Sequence, residues 1–259
     1  MAYDGYACLR IDVARGVAWV TIDHPPINLF DLALIQDIDR VGLELEADPA
    51  VRVVVLQSAD PEFFIAHADV TLIRMLPQDA PRPTTLPLFH RMVDRFRTMP
   101  KATIGKVEGI ARGGGSEFLL SLDMRFGALG RAVLAQPEVA LGIIPGGSGT
   151  QRLPRLVGRA RALEVIRGCE DFPAELTPFV ERLAYRIASF PPEAIALAKQ
   201  AVAAAEPPVV DGLLEEADCF NRTLATAAAQ ARMARFLAHG GQTRAVELAL
   251  GGLLDKLAD

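Results

Sequence analysis

An α/β core followed by an all-helical C-terminal part is the fold class that this sequence predicts. Three observations carry it. The start alternates in apolar and β-branched residues, short continuous apolar runs alternate with stretches of helical spacing through the middle, and almost everything after residue 149 has helical periodicity. In order, "CLRIDVARGVAWVTI" reads as a hairpin turning at Ala14, Arg15 and Gly16. The prolines of "HPPINLF" break it. Helical spacing of Leu32, Ile35, Ile38, Val41, Leu43 and Leu45 predicts a helix over 31–46, ending before Asp48 and Pro49. "VRVVVLQSA" is a continuous apolar run, as expected of a strand covered on both faces. The loop "DPEFFIAHADV" follows, then a Pro-rich stretch over 77–87 expected to be mobile. A helix over 88–98, a strand through "ATIGKVEGI" and another in "MRFGAL" complete the core. Helices are predicted over 152–167, 174–189, 192–205 and 209–239, with a tail helix to 257, punctuated by Pro191-Pro192 and Gly240-Gly241. The division expected is a core over 1–189 and a helical region over 190–259, with no internal sequence repeat.

The bulk numbers narrow the function. With 51% hydrophobic and 23% charged residues and a net charge of −5, the chain has ordinary globular composition and no basic stripe for nucleic acid. The arginines over 152–167 are spread along a helical pattern and read as a solvated face. Cys8, Cys169 and Cys219 suggest neither a disulfide framework nor a metal knot, and the four histidines lack metal-ligand spacing. No signal-peptide pattern and no run of about 20 apolar residues is visible, so a cytoplasmic protein is expected.

Chemistry concentrates in two stretches. In "EGIARGGGSEFLLSLDM", Gly113, Gly114 and Gly115 join a buried strand to a helix. Glycine permits a tight turn there, and the same geometry presents free N–H groups to an anion; the triplet alone allows either. It is neither a dinucleotide fingerprint, since Phe118 stands at the third glycine position, nor a P-loop. Glu117 falls in the first helical turn, favoured there by the helix dipole, yet the apolar "FLLSL" beyond it predicts desolvation and a raised proton affinity. Glu138, between Pro137 and an apolar run in "LAQPEVALGIIPGGSGT", is a second candidate. Two such glutamates beside glycine-rich turns suggest paired acid and base work. Ser148 in "GGSGT" nearly matches a nucleophile elbow, but Thr150 replaces the last glycine.

With these residues, the chain resembles the enoyl-CoA hydratase/isomerase (crotonase) family. "FFIAHADV", "KATIGKVEGIARGGGSEFLLSLDMRFGA", "LAQPEVALGIIPGGSGTQRLPRLVG" and "FPPEAIALAKQAV" occur in the family's order and cover most of the chain. The resemblance implies a repeated ββα superhelix with a helical C-terminal region that packs in trimers, often paired into hexamers. It implies an acyl-CoA thioester substrate, with no metal and no redox cofactor. Ala68 and Gly114 match the two N–H arms of the oxyanion hole, Glu117 the residue that activates water, and Glu138 the residue that exchanges a proton at the α-carbon. Ile27 and the 66–70 loop (Ala66, His67, Asp69, Val70) match CoA contacts, with Pro137 beside Glu138. Family members that only isomerise often lack one of these carboxylates. Retention of both favours hydration, with isomerisation, other thioester-enolate chemistry or a non-catalytic acyl-CoA-binding oligomer as alternatives. Three departures stand out. His67 replaces a common glycine and should narrow or polarise the mouth of the site. Arg112 replaces an apolar residue, as a solvent-facing bystander or a contact to a charged acyl group. Ala174, Glu175 and Leu176 run straight into "TPFVERLA", where the family usually has a short helix and a "GLV"-type turn.

Overall fold

The computed structural model describes residues 3–173, 188 and 209–254. The hairpin forms as the alternation requires: β1 (Leu9–Ala14) and β2 (Val17–Ile22) pair antiparallel around a turn in which Arg15 and Gly16 both take positive φ. Helix α1 (Leu32–Ala47) follows, capped by the Asp31 carboxylate, which accepts the Leu34 N–H at 3.0 Å. Such a cap is worth about 1 kcal/mol. Next come β3 (Val53–Ser58), β4 (Phe63–Ile65), the short α2 (Val70–Arg74) and α3 (Leu88–Thr98). Strands β5 (Ala102–Val107) and β6 (Ile110–Arg112) lead into α4 (Gly114–Leu120), and β7 (Met124–Gly127) and β8 (Val133–Ala135) into a 3₁₀ turn at Glu138–Leu141. After α5 (Gly149–Val157), α6 (Arg159–Gly168) and the short β9 (Phe172–Pro173), the C-terminal elements are α7 (Val210–Leu224), α8 (Ala227–Ala238), α9 (Arg244–Glu247) and α10 (Leu250–Leu254).

Two sheets organise the core, one ordered β1-β2-β3-β5-β7 and the other β4-β6-β8-β9. Beyond the hairpin the chain visits them alternately, and the pairs β2–β3, β3–β5, β5–β7, β4–β6 and β6–β8 are all parallel. Each turn of the chain therefore lays one strand on each sheet and then crosses back, β3-β4-α3 and β5-β6-α4 being successive turns. The isolated parallel bridge of Phe30 to Ala68 is the second-sheet rung of the turn before them. The structural repeat exists without a sequence repeat, because stacking asks only for apolar strands in register.

Burial follows from the layers. Leu34, Ile38, Val41 and Leu45 of α1, Met92, Val93 and Phe96 of α3, and Phe118 and Leu119 of α4 pack on one face of the five-stranded sheet. Val17, Val53, Val55 and Ile104 pack on its other face with Ala188. Covering both faces explains the unbroken apolar run of β3, whose fully buried valines and leucine each contribute about 1.5–3 kcal/mol. Met233 and Phe236 of α8 and Leu250 and Leu253 of α10 close over Val70, Leu141 and Ile143, so the C-terminal helices roof the ends of the second sheet.

Several expectations change. The helix expected over 152–167 is two, parted at Gly158 (φ +79°), and the one over 209–239 breaks where Thr226 caps α8 by accepting the Ala229 N–H. The supposed single strand "ATIGKVEGI" is β5 and β6, and the "DPEFFIAHADV" loop contains β4 and runs into α2. The helices expected over 174–189 and 192–205, the boundary between 189 and 190, and the shortened segment at Ala174, Glu175 and Leu176 lie outside the described residues, apart from Ala188, which is helical. Among the described residues no helix is long and apolar enough to cross a membrane.

Candidate active site

Register within the second sheet assembles the site. Ile65 of β4 pairs with Ala111 of β6, and Ala111 with Leu134 of β8. Ala68 and Gly114 each lie three residues beyond their paired position, and Glu138 lies four beyond Leu134. All three stand just past the C-terminal ends of adjacent parallel strands. The Phe30 N–H donates to the His67 carbonyl at 2.9 Å and the Asp69 N–H to the Phe30 carbonyl at 3.1 Å. Alternation along the backbone therefore turns the Ala68 N–H to the opposite side. One strand over, Arg112 and Gly113 donate to the Ala66 and Ala135 carbonyls at 3.2 and 3.0 Å, which leaves Gly114 as the first N–H beyond the ladder. Among the described residues neither the Ala68 nor the Gly114 N–H has a protein acceptor.

The glycine triplet has a separate steric reason at each flank. Gly113 takes φ +47°, and a side chain there would start 2.7 Å from Glu138 Oε1. A Cβ on Gly115 would lie 2.5 Å from the Ile65 carbonyl oxygen. Bare backbone is what lets α4 begin against β4.

Glu117 is buried in α4, and its Oε1 accepts the N–H groups of Gly147 and Gly149 at 2.8 and 2.7 Å. Burial, reinforced by the nearby Glu138 and Glu216 carboxyls, holds its proton affinity well above the ordinary carboxylate range against those two donors. Burial likewise pushes the Glu138 carboxyl up to about 8, and its Oε2 has no hydrogen-bond partner among the described residues. Both glutamates, with Ala68 and Gly114, line a cavity of about 440 Å³. Its remaining wall is largely apolar, with Phe89 of α3, Phe220 of α7 and Leu72 and Ile73 of α2, and includes Pro77, Ala80 and Pro87 of the Pro-rich stretch. Phe30 packs edge-on against Phe89 at 5.2 Å and against Phe118 at 6.0 Å, a stiff aromatic floor.

The other expected contacts divide. Asp69 lines the cavity and caps α2, its Oδ1 accepting from Thr71 N–H at 2.7 Å and from Gln242 Nε2 at 2.9 Å. His67, Val70 and Pro137 line a second, smaller cavity of about 30 Å³ behind Glu138. Ile27 and Ala66 line neither cavity; they are buried together with Phe63, joined by the Ala66 N–H donating to the Ile27 carbonyl. His67 is thus behind the site rather than at its mouth. Arg112 is neither solvent-facing nor in the cavity. It is 1% exposed, pairs in a bidentate fork with Asp171 at 2.7 Å to each oxygen, and donates to the Glu247 carbonyl at 2.8 Å. The arginines over 152–167 are exposed apart from Arg152, which is buried against Asp94 at 3.0 Å.

Sequence reasoning missed Glu216. This third buried carboxylate, on α7, accepts from the Ser148 and Thr150 N–H groups, from the Thr150 hydroxyl and from His90 Nε2, and so holds the 147–150 loop that grips Glu117. Its signal was a charge on the same helical face as Leu213, Ala217 and Leu224. Ser148 is fully buried with φ +111°, its hydroxyl 3.4 Å from Ser121 Oγ, which is no arrangement for a nucleophile. Cys8, His24 and Asp31 form a chain of 3.4 and 2.8 Å contacts that resembles a thiol triad. Burial pushes that thiol up to about 11, which disfavours the thiolate that a nucleophile needs. Among the described residues no group of three or more His, Cys, Asp or Glu side chains is placed to hold a metal ion.

Comparison with known proteins decides the lineage. Residues 12–177 match the enoyl-CoA hydratase/isomerase family. The chain belongs to this family of enzymes. Its stacked ββα turns are the crotonase fold. The short-chain-enoyl-CoA hydratase of Clostridium acetobutylicum is 34% identical over 203 residues, 72% of this chain and 77% of that one. The crotonyl-CoA hydratase of Syntrophomonas wolfei is 31% identical over 255 residues, 92% of this chain and 96% of that one. A solved structure from Streptomyces avermitilis, described as a candidate enoyl-CoA hydratase, has a TM-score of 0.89 at 37% identity, covering 98% of this chain and 99% of that chain.

Proposed function

We propose that this member of the enoyl-CoA hydratase/isomerase family is a hydratase, adding water reversibly across the 2,3 double bond of an acyl-CoA thioester. The observation that carries the reading is the joint lining of one apolar cavity by two N–H groups without acceptors and two buried carboxyls of raised proton affinity. The Ala68 and Gly114 N–H groups hold the thioester oxygen and stabilise the negative charge that gathers on it as the β-carbon is attacked. The Gly147 and Gly149 N–H groups favour the ionised form of Glu117, and in that form it takes a proton from water, whose oxygen bonds to the β-carbon. Glu138, still protonated near neutral pH, delivers its proton to the α-carbon. Release of the proton from Glu117 and uptake of one by Glu138, exchanged through solvent, restores both carboxyls; over the full cycle water supplies every atom gained, no electrons are exchanged, and neither a metal nor a redox cofactor is needed. By the family resemblance the chain assembles as a homotrimer or hexamer; exposed Leu156 and Val157 at the end of α5 are apolar surface that a second copy could cover.

The test follows loss of the conjugated-thioester absorbance of crotonyl-CoA and of longer and aromatic 2-enoyl-CoAs. Turnover by the wild type and a loss of about 10²- to 10⁴-fold in Glu117→Gln are expected. Absence of turnover on every 2-enoyl-CoA refutes hydration, and conversion of 3-enoyl-CoA alone makes the protein an isomerase.

A further inference from the structure

One buried titratable cluster is left over by this chemistry: His67, Glu247 and Arg112. His67 Nε2 lies 3.0 Å from Glu247 Oε1, and Nδ1 lies 2.8 Å from the Ala68 carbonyl oxygen. Both partners are acceptors. The carbonyl has no proton to give, and the Glu247 carboxylate already accepts the Gln242 N–H at 2.8 Å and faces Arg112 Nη1 at 3.6 Å. A neutral imidazole has one N–H and could satisfy only one of them, so two acceptors demand the doubly protonated ring. The ring is buried, edge-on to Phe236 at 5.7 Å, and shares the wall of the smaller cavity with Gly114 and Glu138. The His67 carbonyl is anchored by the Phe30 N–H and its ring by the Ala68 carbonyl, so the two bonds bracket the peptide that carries the Ala68 N–H.

We propose that His67 is a positioning residue, a buried imidazolium clamped by Glu247 of α9, which aims the Ala68 N–H and adds positive charge beside Glu138. The catalytic part of this proposal rests on the hydration reading; the charge of the ring does not. The charged groups facing the ring are Glu247 from α9, Arg112 from β6 and Glu138 from the 3₁₀ turn, and Asp171 balances Arg112. Taking away the ring's charge removes attraction for the ionised form of Glu138. Its proton is then held more tightly, and the alkaline limb of the hydration profile moves up.

Two measurements on the whole chain test this. In protein labelled with ¹⁵N-histidine, ring-nitrogen shifts between pH 6 and 9 should show one histidine, assigned by its loss in His67→Gln, with both nitrogens protonated through pH 8. In hydration of crotonyl-CoA, His67→Ala should lose about 10- to 100-fold in kcat with KM near the wild-type value. Its alkaline limb should rise by about one pH unit. His67→Gln keeps a donor for the Ala68 carbonyl without the charge; it should recover part of kcat and none of the limb shift. A singly protonated ring at pH 7, or a folded His67→Ala with unchanged kcat and limb, overturns the proposal. Should the alanine variant fail to fold, wild-type ring shifts and the Glu247→Gln limb decide, an unmoved limb counting against it. A doubly protonated ring in a protein that hydrates no enoyl-CoA supports the charge assignment and refutes the hydration reading instead.

Discussion

Replacing Glu138 by glutamine should change the pH dependence of stability as well as activity. An ordinary glutamate titrates at 4.5, whereas burial pushes this one up to about 8. Because the folded value is raised, the unfolded chain releases this proton first as pH rises. The stability associated with the neutral carboxyl is complete below about 4.5 and lost on the way to 8. At about 1.4 kcal/mol per pH unit, the loss across that window reaches up to about 5 kcal/mol. The amide introduced by Glu138→Gln does not titrate, so its contribution is flat. Urea unfolding followed by the fluorescence of the single tryptophan, Trp19, between pH 5 and 9 reads both curves. The wild type should lose stability relative to the variant as pH rises, with the two diverging by several kcal/mol by pH 9. Hydration by the wild type should fall above pH 8 as the proton donor ionises, and the variant should lose about 10²- to 10⁴-fold at all pH values. Stability curves that run parallel within about 1 kcal/mol would refute the assignment of a neutral, buried Glu138.

Arg112→Met would remove the bidentate partner of Asp171, one of the two cations beside Glu247 and the donor to the Glu247 carbonyl, and thermal unfolding should report a loss of about 1–3 kcal/mol. Gly115→Ala puts a methyl group 2.5 Å from the Ile65 carbonyl, which should cost about 1–3 kcal/mol and, by pushing α4 off β4, lower kcat more than it raises KM. Glu216→Gln replaces one of the two oxygens that accept the Ser148 and Thr150 N–H groups with an NH2 donor; kcat for crotonyl-CoA should fall about 10-fold or more as Glu117 loses its fixed orientation, and an unchanged kcat would show that the 147–150 loop holds itself.

The long, strongly patterned elements were legible: the hairpin, α1, α3 and β3 appear where alternation, helical spacing and apolar runs predict them. The three-residue strands β4 and β8 were not, because three residues cannot display a period. Yet these are the strands whose ends carry Ala68 and Glu138. The glycine triplet and two desolvated glutamates marked chemistry, but their convergence followed from resemblance, since contacts between turns of a spiral leave no local trace. Arg112 escapes a sequence reading for a related reason. Its partners, Asp171 and Glu247, are 59 and 135 residues away, and a lone arginine beside a glycine run does not disclose a buried fork.

Adjacent strands in a sheet are about 4.8 Å apart, and that spacing acts as a ruler for the second sheet. The segment after β4 carries one N–H, the first turn of α4 after β6 an N–H and a carboxyl, and the 3₁₀ turn after β8 another carboxyl. Backbone pairing far from the loops fixes the interval between them. A change of reaction can therefore be written into one rung at a time, by inserting, deleting or recharging a single loop, while the neighbouring rungs keep their places. The spiral holds these groups on separate segments and keeps them in step.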